Sequence, residues 1–290
     1  MNNATAARAP LNLGGLAFVV LWSSGYIAAV AALQGAGPFT LAVLRFAGSA
    51  ALIGLWLLLW RAPSVSAKSW GHALVAGALL QAGFFGFTYA ALRWGVPAAV
   101  AGLITGLMPL TTTLGGAWLL REPLRRHTLS GLVIGLIGVL LVIGPAVWVP
   151  QSWPGYGAML AALLSLSGGT LYQKRHATQL DPRLALWVQV MVGLVLLLPL
   201  AWLLEGLQLK PSVAFYAGVG WIVLINACAG LLLYLWLLRH GGAGQTASWF
   251  YLVPPVTALM AAVALDARFS WVAMLGFALA AAGVWLGQRS

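Results

Sequence analysis

Acidic side chains are nearly missing from this chain. Glu122, Asp181, Glu205 and Asp266 are the only four in 290 residues, and the apolar runs place all of them at span ends or in connections. No Asp or Glu therefore sits inside an apolar run, where intramembrane carboxylates act as proton or cation relays. Charge of any sign is scarce as well. Only 7% of residues are charged and 62% are hydrophobic, whereas a soluble domain is about half apolar and a quarter charged. A soluble core of this length could not bury so much apolar surface, so lipid must be the solvent for most of the chain. Cysteine is reduced to Cys228, which excludes an internal disulfide. The four histidines, His72, His127, His176 and His240, stand far apart near span ends without i, i+4 pairing. No metal-ligand cluster, Ser-His-Asp set or phosphate-cradling glycine loop is visible. Neither a cofactor nor catalysis is expected.

Lysine, arginine and tryptophan are present in quantity. Fifteen Lys and Arg give a formal net charge of +11. They are scattered between apolar runs, which points to membrane orientation and anionic headgroups rather than to nucleic acid. Fifteen tryptophans suit an interfacial belt and an aromatic-lined cavity. With about 20 apolar residues needed per crossing, the runs predict ten spans, at 12–32, 39–60, 70–92, 97–119, 128–145, 155–176, 183–204, 212–238, 244–264 and 270–287. Residues 1–11 precede them, and the uncharged segment 146–154 divides a first half (12–145) from a second (155–290). Eleven Lys and Arg fall on the N-terminal side of the spans. Three (Arg93, Lys210, Arg268) fall on the other side, and Arg45 lies within a span. Positive connections stay in the cytoplasm, so both termini are expected there. The first apolar stretch is long enough to be a retained helix rather than a cleaved signal.

The second half repeats the first. Tyr89–Leu141 lies on Tyr234–Leu286 at a constant offset of 145, pairing Tyr89 with Tyr234, Pro109 with Pro254, Thr112 with Thr257, Gly131 with Gly276 and Gly138 with Gly283. Five helices is an odd number, so the second half must enter the membrane from the opposite side. The sequence thus predicts an all-α polytopic protein, two inverted five-helix repeats around a central cavity. Inverted repeats place a site at the midplane and let the halves rock around it.

Four stretches resemble the ten-helix EamA-like branch of the drug/metabolite transporter superfamily. They are Trp22-Ser23-Ser24-Gly25-Tyr26; Pro38 with Arg45-Phe46; Tyr89 through Pro109 and Glu122 to the Gly131, Gly135, Gly138 series; and its copy through Ala247-Ser248, Pro254 and Gly283. The resemblance covers essentially the whole chain. Within the branch it is similar to bacterial aromatic amino acid exporters (YddG-type). It implies a ten-helix basket with a central cavity that moves amino acids outward across the inner membrane. The partners expected are then a small-molecule substrate and the bilayer, with no required protein partner. The second half departs from the first in carrying Asp266 and Arg268 where the first has Arg121-Glu122, which loosens any shared role for these acids.

Polar and aromatic residues in mid-span are the candidate cargo contacts. Trp22, Ser23 and Tyr26 lie in span 1, with Trp22 and Tyr26 on one face. Gln81, Phe85 and Tyr89 step by four along span 3. Asn226 lies in span 8, and Trp249 precedes the proline of span 9. An amide facing lipid would leave its polar atoms unpaired, so Gln81 and Asn226 should face protein or a wet cavity; interhelical bonding and ordinary ring packing are the alternatives. Arg45 lies seven residues after Pro38, about 10 Å along the helix. It either meets a substrate carboxylate, snorkels outward or binds carbonyls at a neighbouring helix end. Pro109 and Pro254 sit at equivalent mid-span places and are either static kinks or a paired hinge. Glu122 is expected to neutralise nearby arginines or favour the next helix's N-terminus. Gly102 with Gly106, and Gly131 with Gly135 and Gly138, are spaced for close helix packing. An exporter of lipophilic drugs is the rival within transport. A membrane enzyme or scaffold is the rival outside it.

Overall fold

The computed structural model describes residues 3–59, 67–119, 121, 126–147, 153–176, 182–230, 233, 236, 237 and 249–287. Helix occupies each of the ten predicted spans, and the described residues contain no strand beyond one isolated bridge. We number the helices by span. α1 is Asn3–Ala32 and α2 is Pro38–Leu59. α3 runs through Ala67–Gly77, a π segment Ala78–Gly83 and Phe84–Arg93. α4 is split into Ala98–Thr105 and Met108–Leu119. α5 is Arg126–Val147, α6 Trp153–Arg175 and α7 Pro182–Glu205. α8 joins Val213–Gly220 to a π segment Trp221–Ala229. α9 joins a 3₁₀ turn Trp249–Leu252 to Val253–Ala264, and α10 is Trp271–Gly287. α1 begins well before the predicted start of span 1.

Five stretches are long and apolar enough to cross a membrane by length and composition: Leu13–Ala32, Pro38–Leu59, Trp70–Arg93, Ala98–Leu119 and Arg183–Glu205. Several other helices are apolar but shorter among the described residues. The outer surface is correspondingly greasy. Leu58, Trp118, Val213, Val263 and Trp271 are each more than 80% exposed, which water would not tolerate at this density. Exposed Trp94, Trp118, Trp153 and Trp271 stand at helix ends, the place of an interfacial belt.

The packing itself shows the inversion. α1 packs on α8 and α9, while α6 packs on α3 and α4. α2 pairs with α7, α4 with α9 and α5 with α10. Exchanging the halves maps this set of neighbours onto itself. The three pairs of equivalent helices are also antiparallel. Along α2 and α7, Gly37 meets Glu205, Phe46 meets Gly193, and Gly54 meets Trp187. Along α4 and α9, Gly102 meets Thr257 and Gly106 meets Pro254.

The tightest case is α5 with α10. A Cβ on Gly138 would lie 2.6 Å from the Gly276 carbonyl oxygen, and one on Gly283 would lie 2.6 Å from that of Gly131. Each contact is the 145-residue copy of the other. Glycine at these positions brings two backbones together where any side chain would hold them apart.

Irregularities recur at the same offset. The π segments of α3 and α8 overlap in register, the second segments of α4 and α9 begin at Met108 and Val253, and Arg121 and Asp266 both adopt positive φ where those helices end. The prolines take a different place from the one expected. Pro109 and Pro254 lie in the first turn of those second segments, not inside a continuous helix. There a missing N–H interrupts no ladder and proline's fixed φ suits the start of a helix.

Helix ends fall on two sides. On one, the α1–α2 turn joins the α7–α8 turn through the bridge Ala36–Leu209, and the Lys210 N–H donates to the Gly35 carbonyl. Val96, between α3 and α4, lies against Gly155 at the start of α6 on the same side. On the other, Trp236 and Trp249 seat against Gly14 and Gly15 of α1, and His72 meets Tyr172 and His176.

Candidate functional site

A half-open pocket, with about 350 Å³ of non-atom space that includes outside solvent, lies where α1, α2, α3 and α8 converge. Trp22, Gly25, Tyr26, Arg45, Phe84, Phe85, Thr88, Tyr89 and Asn226 form its wall. Arg45 projects from mid-α2 and is only 8% exposed. Its guanidinium carbon stands 3.9 Å from the centre of the Phe85 ring. Nη1 donates to Tyr89 Oη at 3.3 Å and to Asn226 Oδ1 at 3.0 Å. The side chain thus turns inward; it neither snorkels nor bonds carbonyls.

Asn226 owes its place to the wide turn of α8 and to Gly25. Its Nδ2 donates to the Leu21 carbonyl at 2.8 Å. A Cβ on Gly25 would stand 2.7 Å from that nitrogen, so only glycine lets the amide approach α1. Tyr26 bonds the Thr105 hydroxyl. Thr105 also reaches the Ala101 and Gly102 carbonyls, at 2.8 and 3.1 Å. The Thr88 hydroxyl is buried and lacks any hydrogen-bond partner among the described residues. A buried hydroxyl left unpaired is unfavourable by about 1–3 kcal/mol.

An aromatic cluster continues outward from Trp22 on the cavity wall. Trp22 and Phe250 lie 5.2 Å apart edge to face, and Phe18 stands within 5.7 Å of both. Phe250 belongs to the 3₁₀ turn of α9.

Of the residues singled out from the sequence, Trp22, Tyr26, Phe85, Tyr89, Asn226 and Arg45 line this cavity. Three do not. Ser23 is fully buried and directs its hydroxyl to the Val253 carbonyl at 3.4 Å, at the break in α9. Trp249 lies over Gly15, and its Nε1 is buried without a partner among the described residues. Gln81 sits in the π segment of α3, its Cβ near Gly193 of α7. The four-residue stripe Gln81, Phe85, Tyr89 assumes α-helical rotation throughout. A π turn adds a residue per turn and swings Gln81 off the face kept by the other two. Gly25 entered the sequence reading only through the resemblance, and Phe84 and Thr88 escaped it. A threonine among apolar neighbours was the available signal for Thr88.

The remaining polar groups are structural or lie elsewhere. Glu205 accepts from the Phe39 and Thr40 N–H groups at 2.9 and 2.7 Å and from the Thr40 hydroxyl at 2.6 Å, capping α2 from α7. Glu122 lies outside the described residues. His72 and His176, distant in sequence, stack at 4.6 Å, with His72 Nδ1 2.8 Å from the Tyr172 hydroxyl. No group of three metal-ligating side chains occurs among the described residues.

The chain is similar to known proteins. YedA of Escherichia coli K12, named an uncharacterised inner membrane transporter, is 24% identical over 94% of this chain and 89% of its own. A probable amino-acid metabolite efflux pump of Salmonella typhimurium LT2 is 26% identical over 93% of this chain and 92% of its own. A protein of known crystal structure shares the fold at TM-score 0.66 and 23% identity, over 97% of this chain and 99% of that one. Residues 10–144 and 153–287 each match the EamA-like transporter family. With two such matches spanning nearly its whole length, this multi-pass membrane protein belongs to the EamA-like transporter family.

Proposed function

We propose that the protein exports amino acids and their carboxylate-bearing metabolites, those with aromatic or other apolar side chains preferred, by alternating access around the Arg45 cavity. One observation carries the reading: a buried guanidinium, stacked on Phe85, forms part of a wall otherwise made mainly of rings. The guanidinium fork matches a carboxylate in shape and charge, and the rings suit an apolar side chain. Binding and release need no bond chemistry, so the cycle consists of opening the cavity to one side and then the other. The breaks before Met108 and Val253 stand at equivalent places in the two halves, where Pro109 and Pro254 could serve as paired hinges. The excess of Lys and Arg on one side of the spans supports cytoplasmic termini and a cytoplasmic loading side.

An amino-acid metabolite efflux pump among the relatives supports the same cargo class. Lipophilic cations fit poorly, since a buried positive charge repels them. Purified protein in liposomes should show counterflow of phenylalanine or a phenyl-bearing carboxylate, lost in Arg45→Gln. Counterflow of lipophilic cations alone would sink the proposal.

A further inference from the structure

The surroundings of Arg45 bear on the charge of the cargo and on what drives it. A guanidinium carries five N–H donors and keeps its proton inside proteins. Here two hydrogen bonds are made, both from Nη1 and both to neutral oxygens. Nε and Nη2 meet no acceptor among the described residues. No carboxylate among the described residues meets Arg45 either: Glu205 is committed to the start of α2, and Asp266 lies exposed in the α9–α10 connection. Glu122 and Asp181 lie outside the described residues, and the sequence places both in connections on the opposite side from the α1–α2 turn, to which Arg45 is nearer. A buried cation facing only neutral groups is expensive, because its lost hydration is not replaced by an opposite charge.

The missing charge would arrive with the cargo. The wall offers a zwitterion no matching acid for its ammonium. It offers rings, the Thr88 hydroxyl and the Asn226 amide, whose oxygen is already taken by Arg45. An ammonium held here would be desolvated close to a guanidinium.

We infer that, within the cargo class proposed above, the metabolite is preferred over the free amino acid: a monovalent anion, a carboxylate on an apolar ring-bearing body whose amine is absent or blocked, leaving by uniport driven by the membrane potential. This rests on the cavity being the transport site, as proposed above. Each cycle moves one negative charge outward, and the interior-negative potential of a bacterial membrane pulls that charge in the direction of export. No proton need be exchanged, and the wall holds no acid to exchange one.

The test uses the full-length protein in liposomes, with valinomycin and a potassium gradient setting the potential and protein-free liposomes as control. The probes are radiolabelled N-acetylphenylalanine and phenylalanine at neutral pH. With about a tenfold inward potassium gradient, the interior turns positive, and a monovalent anion moved by uniport should accumulate about tenfold inside. An added pH gradient should leave that ratio unchanged. Arg45→Gln should abolish the accumulation, while Arg45→Lys should slow it and reach the same ratio. If phenylalanine moves independently of potential and N-acetylphenylalanine does not move, the inference is overturned and the export reading stands. If neither moves in vesicles whose protein is folded by circular dichroism, the export reading itself falls.

Discussion

Arg45 on α2 and Asn226 on α8 come from opposite halves of the chain and meet at 3.0 Å, Nη1 to Oδ1. The amide holds the cation without neutralising it. Asn226→Asp would place a carboxylate in the same position and supply an internal counter-ion. Cargo affinity is expected to fall at least tenfold, since a close charge pair in a poorly hydrated site outcompetes an incoming anion. Counterflow as a function of concentration measures this, and undiminished affinity would mean that Arg45 does not bind the cargo.

Thr88→Val removes a hydroxyl that has no partner in the described structure. The swap keeps the shape and relieves an unpaired polar group. Thermal stability in detergent should therefore hold or rise, by up to about 1–3 kcal/mol, while the apparent KM for cargo increases. Loss of stability would show that the hydroxyl serves the fold.

Gly138→Ala and Gly283→Ala should be equivalent injuries. The new methyl would stand 2.4 Å from the Ala280 nitrogen in the first case and 2.4 Å from the Gly135 nitrogen in the second. Backbone cannot step aside cheaply, so each should destabilise by roughly 1–3 kcal/mol, the cost of overpacking. Melting curves that differ strongly between the two would contradict the pseudo-symmetry of this interface.

Glu205→Gln weakens a charge-assisted cap on α2. The neutral amide keeps one acceptor oxygen but loses charge at the helix start, where two N–H groups converge. A loss of about 1–2 kcal/mol is expected, read as a lower melting temperature, with cargo affinity unchanged because the cap lies away from the cavity wall.

Pro109→Ala combined with Pro254→Ala should leave stability within about 1 kcal/mol, since both prolines occupy the first turn of a helical segment. Exchange between the two access states should slow. Labelling rates of single cysteines placed near the cavity, in a Cys228→Ser background, report this from both sides of the membrane. Unaltered rates would remove the prolines from the mechanism.

The sequence spoke most clearly where one dimension was enough. Hydropathy and charge gave the spans, and the 145-residue offset predicted an inversion that the antiparallel α2–α7, α4–α9 and α5–α10 pairs display. Trp22, Tyr26, Arg45, Phe85, Tyr89 and Asn226 were legible as polar or aromatic interruptions of apolar runs. Gln81 was misplaced because a π turn cannot be seen in composition, and helical periodicity fails across it. Ser23 and Trp249 carry the same residue types as true cavity residues but are engaged at helix crossings. Thr88 was passed over because a threonine in a helix usually bonds its own backbone. The reach of Glu205 to α2 and the stacking of His72 on His176 depend on chain segments more than 100 residues apart, and local pattern holds no trace of either.

The face joining α5 to α10 has a consequence beyond this chain. Gly138 touches Gly276 as Gly283 touches Gly131, so the two surfaces are copies that fit each other in antiparallel array. A surface that complements its own inverted copy is what a two-fold dimer requires. A lone five-helix unit bearing it, inserted into the membrane in both directions, could close the same seam between two separate molecules. The tether between the halves fixes their stoichiometry and lets one of them keep Arg45 while its counterpart carries Gln189 nearby in the alignment. Charge can then be asymmetric in a scaffold whose packing is not.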